Sequence, residues 1–180
     1  MRQTIILLFV ATAFAACNNS DKDTKASDTK VAAATDQKMD YAYTIEHPDQ
    51  WEPGNKENTK MVLASLKAYE TGNLDGALKD FADTVDIKFD GFEGKMPKDS
   101  IKAMFTDSWK NMKAMKIDMN DFESVKSKET GIEYVSMWYK QKWQDTKGAW
   151  DSLSVMDDCK IKDGKITELD EKIRHFGKKK

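Results

Sequence analysis

Hydrophobic and polar residues alternate along the C-terminal part of the chain, and a period of two is the pattern of a β-strand with one buried face. In residues 133–143 the inward positions are Val135, Met137, Tyr139, Gln141 and Trp143. The same alternation runs through two further strands in residues 150–176. An Asp-Gly pair at residues 162–165 indicates a tight hairpin turn between them. A shorter strand around residues 115–119 precedes all three.

Helical spacing replaces this alternation in residues 58–114, where three helices are predicted around one strand. The first helix covers residues 58–71 and ends at Gly72, which is typical of a helix stop. Asn73 caps a second, short helix, and the third covers residues 97–114. The inward positions of the first helix are Val62, Leu66 and Tyr69, and those of the second are Leu74, Ala77, Leu78 and Phe81. The inward positions of the third helix are Ile101, Met104, Phe105, Trp109 and Met112. The inward positions of the intervening strand are Val85, Ile87 and Phe89.

The first seventeen residues have the pattern of a secretion signal, with Arg2 before a short apolar run and small residues before Cys17. The apolar run is too short for a stable transmembrane helix. Small residues followed by cysteine resemble the bacterial lipobox, which implies cleavage before Cys17 and lipidation of its thiol. The alternative is an ordinary signal peptide cleaved after Ala16. Asn18 after the cysteine favours the outer membrane over the inner membrane.

The domain organisation follows from composition. Residues 1–16 are the predicted lipoprotein signal peptide, and residues 17–40 are a polar tether without an aromatic residue. Residues 41–57 contain tyrosines, a tryptophan and two prolines, and are predicted to form an arm packed on the domain. Residues 58–177 form the domain itself.

Charge and motif content exclude several classes of function. The chain has 29 Lys and Arg residues against 31 Asp and Glu residues, without the concentrated positive face of a nucleic-acid-binding protein. No phosphate-binding glycine loop, nucleophile elbow or metal-ligand set is present, so no cofactor and no metal are predicted. With Cys17 lipidated, Cys159 is the remaining thiol, and its inward strand position indicates a small buried hydrophobe.

Residues 69–91, YETGNLDGALKDFADTVDIKFDG, resemble the opening of the nuclear transport factor 2-like superfamily, which includes SnoaL-like cyclases and ketosteroid isomerases. The closing hairpin also resembles that family, so the likeness covers residues 58–176. It implies an α+β fold in which a cone-shaped, curved antiparallel sheet wraps around three N-terminal helices and leaves a pocket at its open end. It also implies a homodimer formed through the sheet. The chain also resembles small lipoproteins of Bacteroidetes that carry such a domain.

The resemblance lets the isomerase residues be compared position by position. The position of the catalytic base is Phe89, which cannot abstract a proton. The position of the oxyanion tyrosine is Ser65, while Asp157 matches the oxyanion-hole acid. Steroid isomerase chemistry needs a base and an acid together, so this activity is rejected.

Asp157 therefore becomes the centre of the predicted site. Glu171 lies on the facing strand, and two acids beside an apolar pocket raise each other's pKa, so one could donate a hydrogen bond at neutral pH. The alternatives are a salt bridge to Arg174 or a lysine, or a position at the rim of the sheet. The full set of predicted ligand-pocket residues is Phe81, Phe89, Phe105, Trp109, Met137, Tyr139, Gln141, Trp143, Asp157 and Glu171.

Together these features predict a non-enzymatic lipoprotein of the bacterial cell envelope, anchored in the membrane through Cys17, whose domain binds an apolar small molecule or a partner protein. One alternative is a SnoaL-like or isomerase-like enzyme with Asp157 as its acid. Another is a structural envelope protein whose interior is simply filled.

Overall fold

A computed structural model describes residues 41–46 and 50–175. The predicted signal peptide, Cys17 and the tether of residues 17–40 lie outside the described residues. The chain divides into two units, residues 1–43 and 44–180, and every element named below belongs to the second unit.

The described helices lie in the N-terminal half of the domain and four consecutive strands follow them, an α+β order that confirms the predicted class. The helices are α1 (Lys56–Glu70), α2 (Leu74–Leu78) and α3 (Lys98–Lys110). The strands are β1 (Trp51–Pro53), β2 (Phe81–Phe89), β3 (Phe92–Pro97), β4 (Met112–Ser127), β5 (Glu133–Asp145), β6 (Trp150–Lys162) and β7 (Lys165–His175).

The N-terminus of α1 was predicted near Asn58 but lies earlier, because Asn55 is its cap. The side-chain oxygen of Asn55 accepts a hydrogen bond from the Glu57 N–H at 2.9 Å. The buried Glu133 of β5 accepts bonds from the Asn55 N–H at 2.7 Å and from Asn58 Nδ2 at 2.8 Å. The helix start is thus joined to the sheet by a carboxylate, which no local sequence pattern indicates.

The seven strands form one curved sheet in the order β1-β4-β5-β6-β7-β2-β3. The prediction of a wholly antiparallel sheet is wrong in one place, because β2 pairs with β7 in parallel. A long crossover connects these two parallel strands, since β3, α3, β4, β5 and β6 lie between them in sequence. This pairing joins β2, the strand that follows α1 and α2, to β7 of the closing hairpin. Segments that are distant in sequence are thus neighbours in the sheet.

Two strands differ from the sequence prediction. β4 has 16 residues, far more than the short strand expected around residues 115–119, and its pairing with β5 shifts register between Met119 and Asp121. That irregularity interrupts the alternation of inward and outward residues, so the sequence pattern does not indicate the second half of β4. β3 is a second strand where the sequence predicts only one among the helices, and Gly94 lies within it opposite Ile87.

The hairpin between β6 and β7 has the predicted tight turn, with φ of 51° at Asp163 and 70° at Gly164. Positive φ at both central residues matches the twist of the strands and suits an Asp-Gly pair. Beyond the turn, the register shifts between Lys160 and Ile161, so that Ile161 pairs with Ile166 whereas Lys160 pairs with Glu168. Thr167 is the extra residue of this bulge.

The hydrophobic core lies between the helices and the concave face of the sheet. Its fully buried members include Val62 of α1, Val85 and Ile87 of β2, Ile101 of α3 and Val135 of β5. These are all positions that the periodicity predicts to face inward. Among the described residues, no helix has the length and apolar character needed to cross a membrane.

Candidate functional site

A cavity of about 460 Å³ lies between the helices and the concave face of the sheet. Its helical wall is formed by Val62, Ser65, Leu66, Tyr69, Ala77, Met104, Phe105 and Ser108. Asn111, which caps α3, and Met112 also line the cavity, but Met112 is the first residue of β4 and not part of the third helix as predicted. Its sheet wall is formed by Phe81, Phe89, Met137, Tyr139, Gln141, Trp143, Leu153, Asp157, Cys159, Ile166, Leu169 and Glu171. The walls are mainly apolar and aromatic, with a few polar groups, as in a small-molecule site.

Every residue of the predicted pocket except Trp109 lies in these walls. Trp109 follows the inward stripe of α3 but packs against Tyr69, with ring centroids 6.4 Å apart, and lies beside Gly72 at the end of α1. Trp109 therefore packs between α1 and α3 and does not line the cavity. That the surrounding residues bind a ligand stays a prediction.

Asp157 faces inward from the middle of β6 and is 4% exposed. Its Oδ2 accepts a hydrogen bond from the Tyr139 hydroxyl at 2.7 Å, and its Oδ1 is buried without a partner among the described residues. The neighbouring Asp158 faces outward, where Lys172 donates to it at 2.8 Å. Asp157 is therefore neither at the rim nor bound to a lysine, and one of its oxygens is unsatisfied in the cavity wall.

Glu171 of β7 pairs directly with Asp157 across the strands, and the half-buried Glu171 side chain shares the concave face with the buried Asp157. Burial, together with the Glu171 carboxyl, raises the pKa of Asp157 to about 8, against which the Tyr139 hydrogen bond acts weakly. Burial also raises the pKa of Glu171. Asp157 is consequently mainly protonated at neutral pH, and since Oδ2 accepts from Tyr139, the proton belongs on Oδ1.

Two phenols accompany these acids. The sequence assigns Tyr139 to the ligand pocket and Tyr69 to the inward face of the first helix. Burial, followed by the charges of Glu171 and Asp157, raises the pKa of Tyr69 to about 12. Burial and Asp157 hold the pKa of Tyr139 well above its ordinary value. Both tyrosines thus remain neutral hydroxyl groups at physiological pH.

Sequence signals for both phenols exist. Tyr69 follows Ser65, the position compared with the oxyanion tyrosine, by one helical turn and so shares its face of α1. Ser65 itself donates to the carbonyl oxygen of Ala77 at 2.6 Å, and this bond ties α1 to α2. A turn centred on Lys147 sets the register between β5 and β6. In that register Tyr139 lies diagonally across from Asp157.

Cys159 is a free, buried thiol in the same wall, as its strand position predicts. Burial, followed by the charges of Asp157 and Asp158, holds its pKa well above the ordinary value. The thiol is therefore not ionised and acts as a small apolar group. Within the described ranges, no cluster of His, Cys, Asp and Glu side chains is able to hold a metal ion.

The outer face of the sheet carries Tyr134 and Trp138, as the alternation predicts. The Tyr134 ring packs edge-on against Trp51 of β1 at 5.9 Å, and Lys160 lies over it. The end of the predicted arm thus covers part of this face. A homodimer through the sheet stays a prediction.

No protein-family model and no curated protein matches the chain. Solved structures do match, and one of them is a nuclear transport factor 2-like protein of unknown function from Burkholderia pseudomallei. It is 17% identical, with a TM-score of 0.54, over 65% of this chain and 90% of that one. TerC, crystallised with polyporic acid, is 16% identical with a TM-score of 0.53, over 65% and 91%. A proposed polyketide cyclase from Xanthomonas campestris is 15% identical with a TM-score of 0.50, over 64% and 89%. At these identities the likeness establishes the fold, which is nuclear transport factor 2-like.

Proposed function

We propose that this domain binds an apolar small molecule in the cavity between the helices and the sheet, with a polar group of the ligand at Asp157. The observation that supports this most directly is the buried Asp157 Oδ1 without a partner, in the wall of a cavity of about 460 Å³. A buried polar atom without a hydrogen bond costs free energy, and a ligand that completes the bond recovers it.

The aromatic walls support the same proposal. Phe81, Phe89, Phe105 and Trp143 surround space that a filled core would occupy with side chains. The alternative of a structural protein with a filled interior is therefore less well supported than a binding domain. TerC, which has this fold, was crystallised with polyporic acid, an observation about that protein that is compatible with the proposal.

Two leucines of α1 allow a matched test of the proposal. Leu66 lines the cavity, whereas Leu63 packs on the core outside it. We expect the full-length protein to bind a neutral fluorescent dye such as Nile red saturably. Leu66→Trp should fill the cavity and weaken binding about tenfold or more, equivalent to about 1.4 kcal/mol. Leu63→Trp should leave the dissociation constant unchanged. Absence of saturable binding, or equal binding by both variants, would contradict the proposal.

A second candidate function is an enzyme in which Asp157 is the acid. The side-by-side placement of Asp157 and Glu171 favours it, because Glu171 supplies the carboxylate that Phe89 cannot. If the domain is this enzyme, Asp157→Asn and Glu171→Gln should each abolish turnover of a carbonyl substrate, and binding of that substrate should persist. Equal turnover by both variants and the native protein would exclude this candidate.

We also propose that the chain is a lipoprotein tethered to the bacterial envelope through Cys17. The support is the order of the N-terminal residues: a basic residue, an apolar run, small residues and then cysteine. Stable anchoring needs more than one acyl chain, which bacterial lipid modification of a cysteine supplies. The binding domain would then act at a membrane surface.

A further inference from the structure

The charged groups of the cavity wall are all of one sign. Asp157 and Glu171 line the cavity, and no lysine, arginine or histidine of the described residues does. The lysine next to Glu171 in sequence, Lys172, points outward and contacts Asp158 and Asp170 at 2.8 and 3.0 Å. The acids thus face a mainly apolar space without a compensating cation.

A neutral ligand satisfies this arrangement incompletely. It can accept a hydrogen bond from protonated Asp157, but it leaves the Glu171 carboxylate half-buried and without a cation from the cavity wall. An anionic ligand adds a third acid to the same space. A partly desolvated carboxylate gains most from a paired, hydrogen-bonded cation, so a positively charged group complements the site best.

An ammonium group also suits the other walls. It has several N–H donors, enough to reach the Glu171 carboxylate and the unpartnered Asp157 Oδ1 together. Aromatic rings also line the cavity, among them Phe89, Phe105 and Trp143, and the face of such a ring attracts a desolvated cation. The same rings provide apolar contact for a hydrocarbon body.

We propose that the ligand is an apolar amine whose ammonium group lies between Glu171 and the free oxygen of Asp157. This rests on the proposed binding function and names its ligand class. Two observations besides the pairing of the two acids support it: the cavity itself and the buried Oδ1 of Asp157 without a partner.

The proposal has a consequence for pH. The titratable groups that face Asp157 are Tyr139 on β5, Glu171 on β7 and Tyr69 on α1, with Cys159 on its own strand. The phenols and the thiol stay neutral up to pH 9, because their pKa values are raised. An ammonium ion prefers ionised Asp157, so binding releases a proton from this carboxyl, whose pKa is about 8. Affinity for an amine should therefore rise between about pH 6 and about pH 9, below the pKa of an alkyl amine.

The test uses three chain-matched probes, decylamine, decanol and decanoate, titrated into the full-length protein by calorimetry at neutral pH. We expect decylamine to bind about tenfold or more tightly than decanol, as a charged hydrogen bond predicts, and decanoate to bind more weakly than decanol. Glu171→Gln should remove the advantage of the amine, so that decylamine binds no more tightly than decanol. The matched control Asp170→Asn, on the outer face of the same strand, should keep the advantage.

The outcomes separate this inference from the proposed function. Saturable decanol binding that equals or exceeds decylamine binding would overturn the amine and leave the binding function standing. An amine advantage that persists in Glu171→Gln, or an affinity that falls as the pH rises, would overturn it as well. If none of the three probes binds, the proposed function fails together with the inference.

Discussion

Asp157 lies in a position where burial opposes its ionised form and no cation of the cavity wall offsets the cost. The side chain is 4% exposed, and its one hydrogen bond comes from the neutral Tyr139 hydroxyl. An apolar or amide side chain would fill the same space at lower cost in free energy. The carboxyl is therefore better explained by binding than by stability.

Asp157→Asn tests this explanation through stability. The pKa of Asp157 is about 8 in the folded protein, above the 3.8 of an exposed aspartate. At pH values between these two pKa values, Asp157 is protonated in the folded state and ionised in the unfolded state. The free energy of unfolding that this group contributes therefore falls as the pH rises from about 4 to about 8. Asparagine does not titrate and imitates the protonated acid. The variant should match the native protein near pH 4 and exceed it by on the order of a few kcal/mol near pH 8.

Urea denaturation at several pH values measures this difference. Asp158→Asn is the control, since Asp158 is paired with Lys172 on the outer face and should show no such gain at high pH. A variant that is less stable than the native protein at every pH would show that the carboxylate of Asp157 is itself stabilising.

In the β6–β7 hairpin, a single register shift decides which side chain lies opposite Asp157. The Asp-Gly turn alone would place Asp157 opposite Asp170, by extension of the Lys162–Lys165 pair. The bulge at Thr167 shifts the register by one residue and places Glu171 there instead. Alternation beyond the bulge predicted the inward face of Glu171, but the bulge itself has no local sequence signature.

Helix α1 depends on β5 in a comparable way. Glu133 is 4% exposed, and it accepts hydrogen bonds from Asn55, Asn58 and, at 2.9 Å, Ser124. A Cβ at Gly54 would lie 1.9 Å from Ser124 Oγ, so only glycine lets the chain pass this close to β4. This junction holds the helix that carries Tyr69 against the sheet.

We expect Glu133→Ala to destabilise the fold by about 2 kcal/mol, because it leaves three donors without their acceptor. Thermal denaturation measures the loss. Glu123→Ala, on an exposed position of β4, is the matched control and should change stability by less than about 0.5 kcal/mol. Equal effects of the two substitutions would show that the junction does not stabilise α1.

The domain as a whole is a curved sheet whose parallel β2–β7 pair closes around the helices. This pairing brings Phe81 next to Ile166 and aligns Ile87 with Leu169, so strands distant in sequence form one continuous wall. The cavity is a property of that arrangement, since its lining residues come from α1, α2, α3 and from five strands.

The proposed tether is tested on the intact chain in a bacterial host. Metabolic labelling with an alkyne fatty acid should mark the native protein, and the label should be lost in Cys17→Ser because the acceptor thiol is gone. Cys159→Ser, which removes the other cysteine of the chain, should retain the label. Labelling of Cys17→Ser, or no labelling of the native protein, would contradict the lipoprotein proposal.

The sequence by itself determined the α+β order, the Asp-Gly hairpin and the inward positions of Tyr139, Asp157 and Glu171. These follow from period, turn chemistry and local propensity, which neighbouring residues dictate. Only the tertiary structure decided that β2 joins β7 in parallel, that Trp109 packs between helices and that the interior keeps a cavity. Such features depend on contacts between distant segments, and on how completely side chains fill the space that curvature creates.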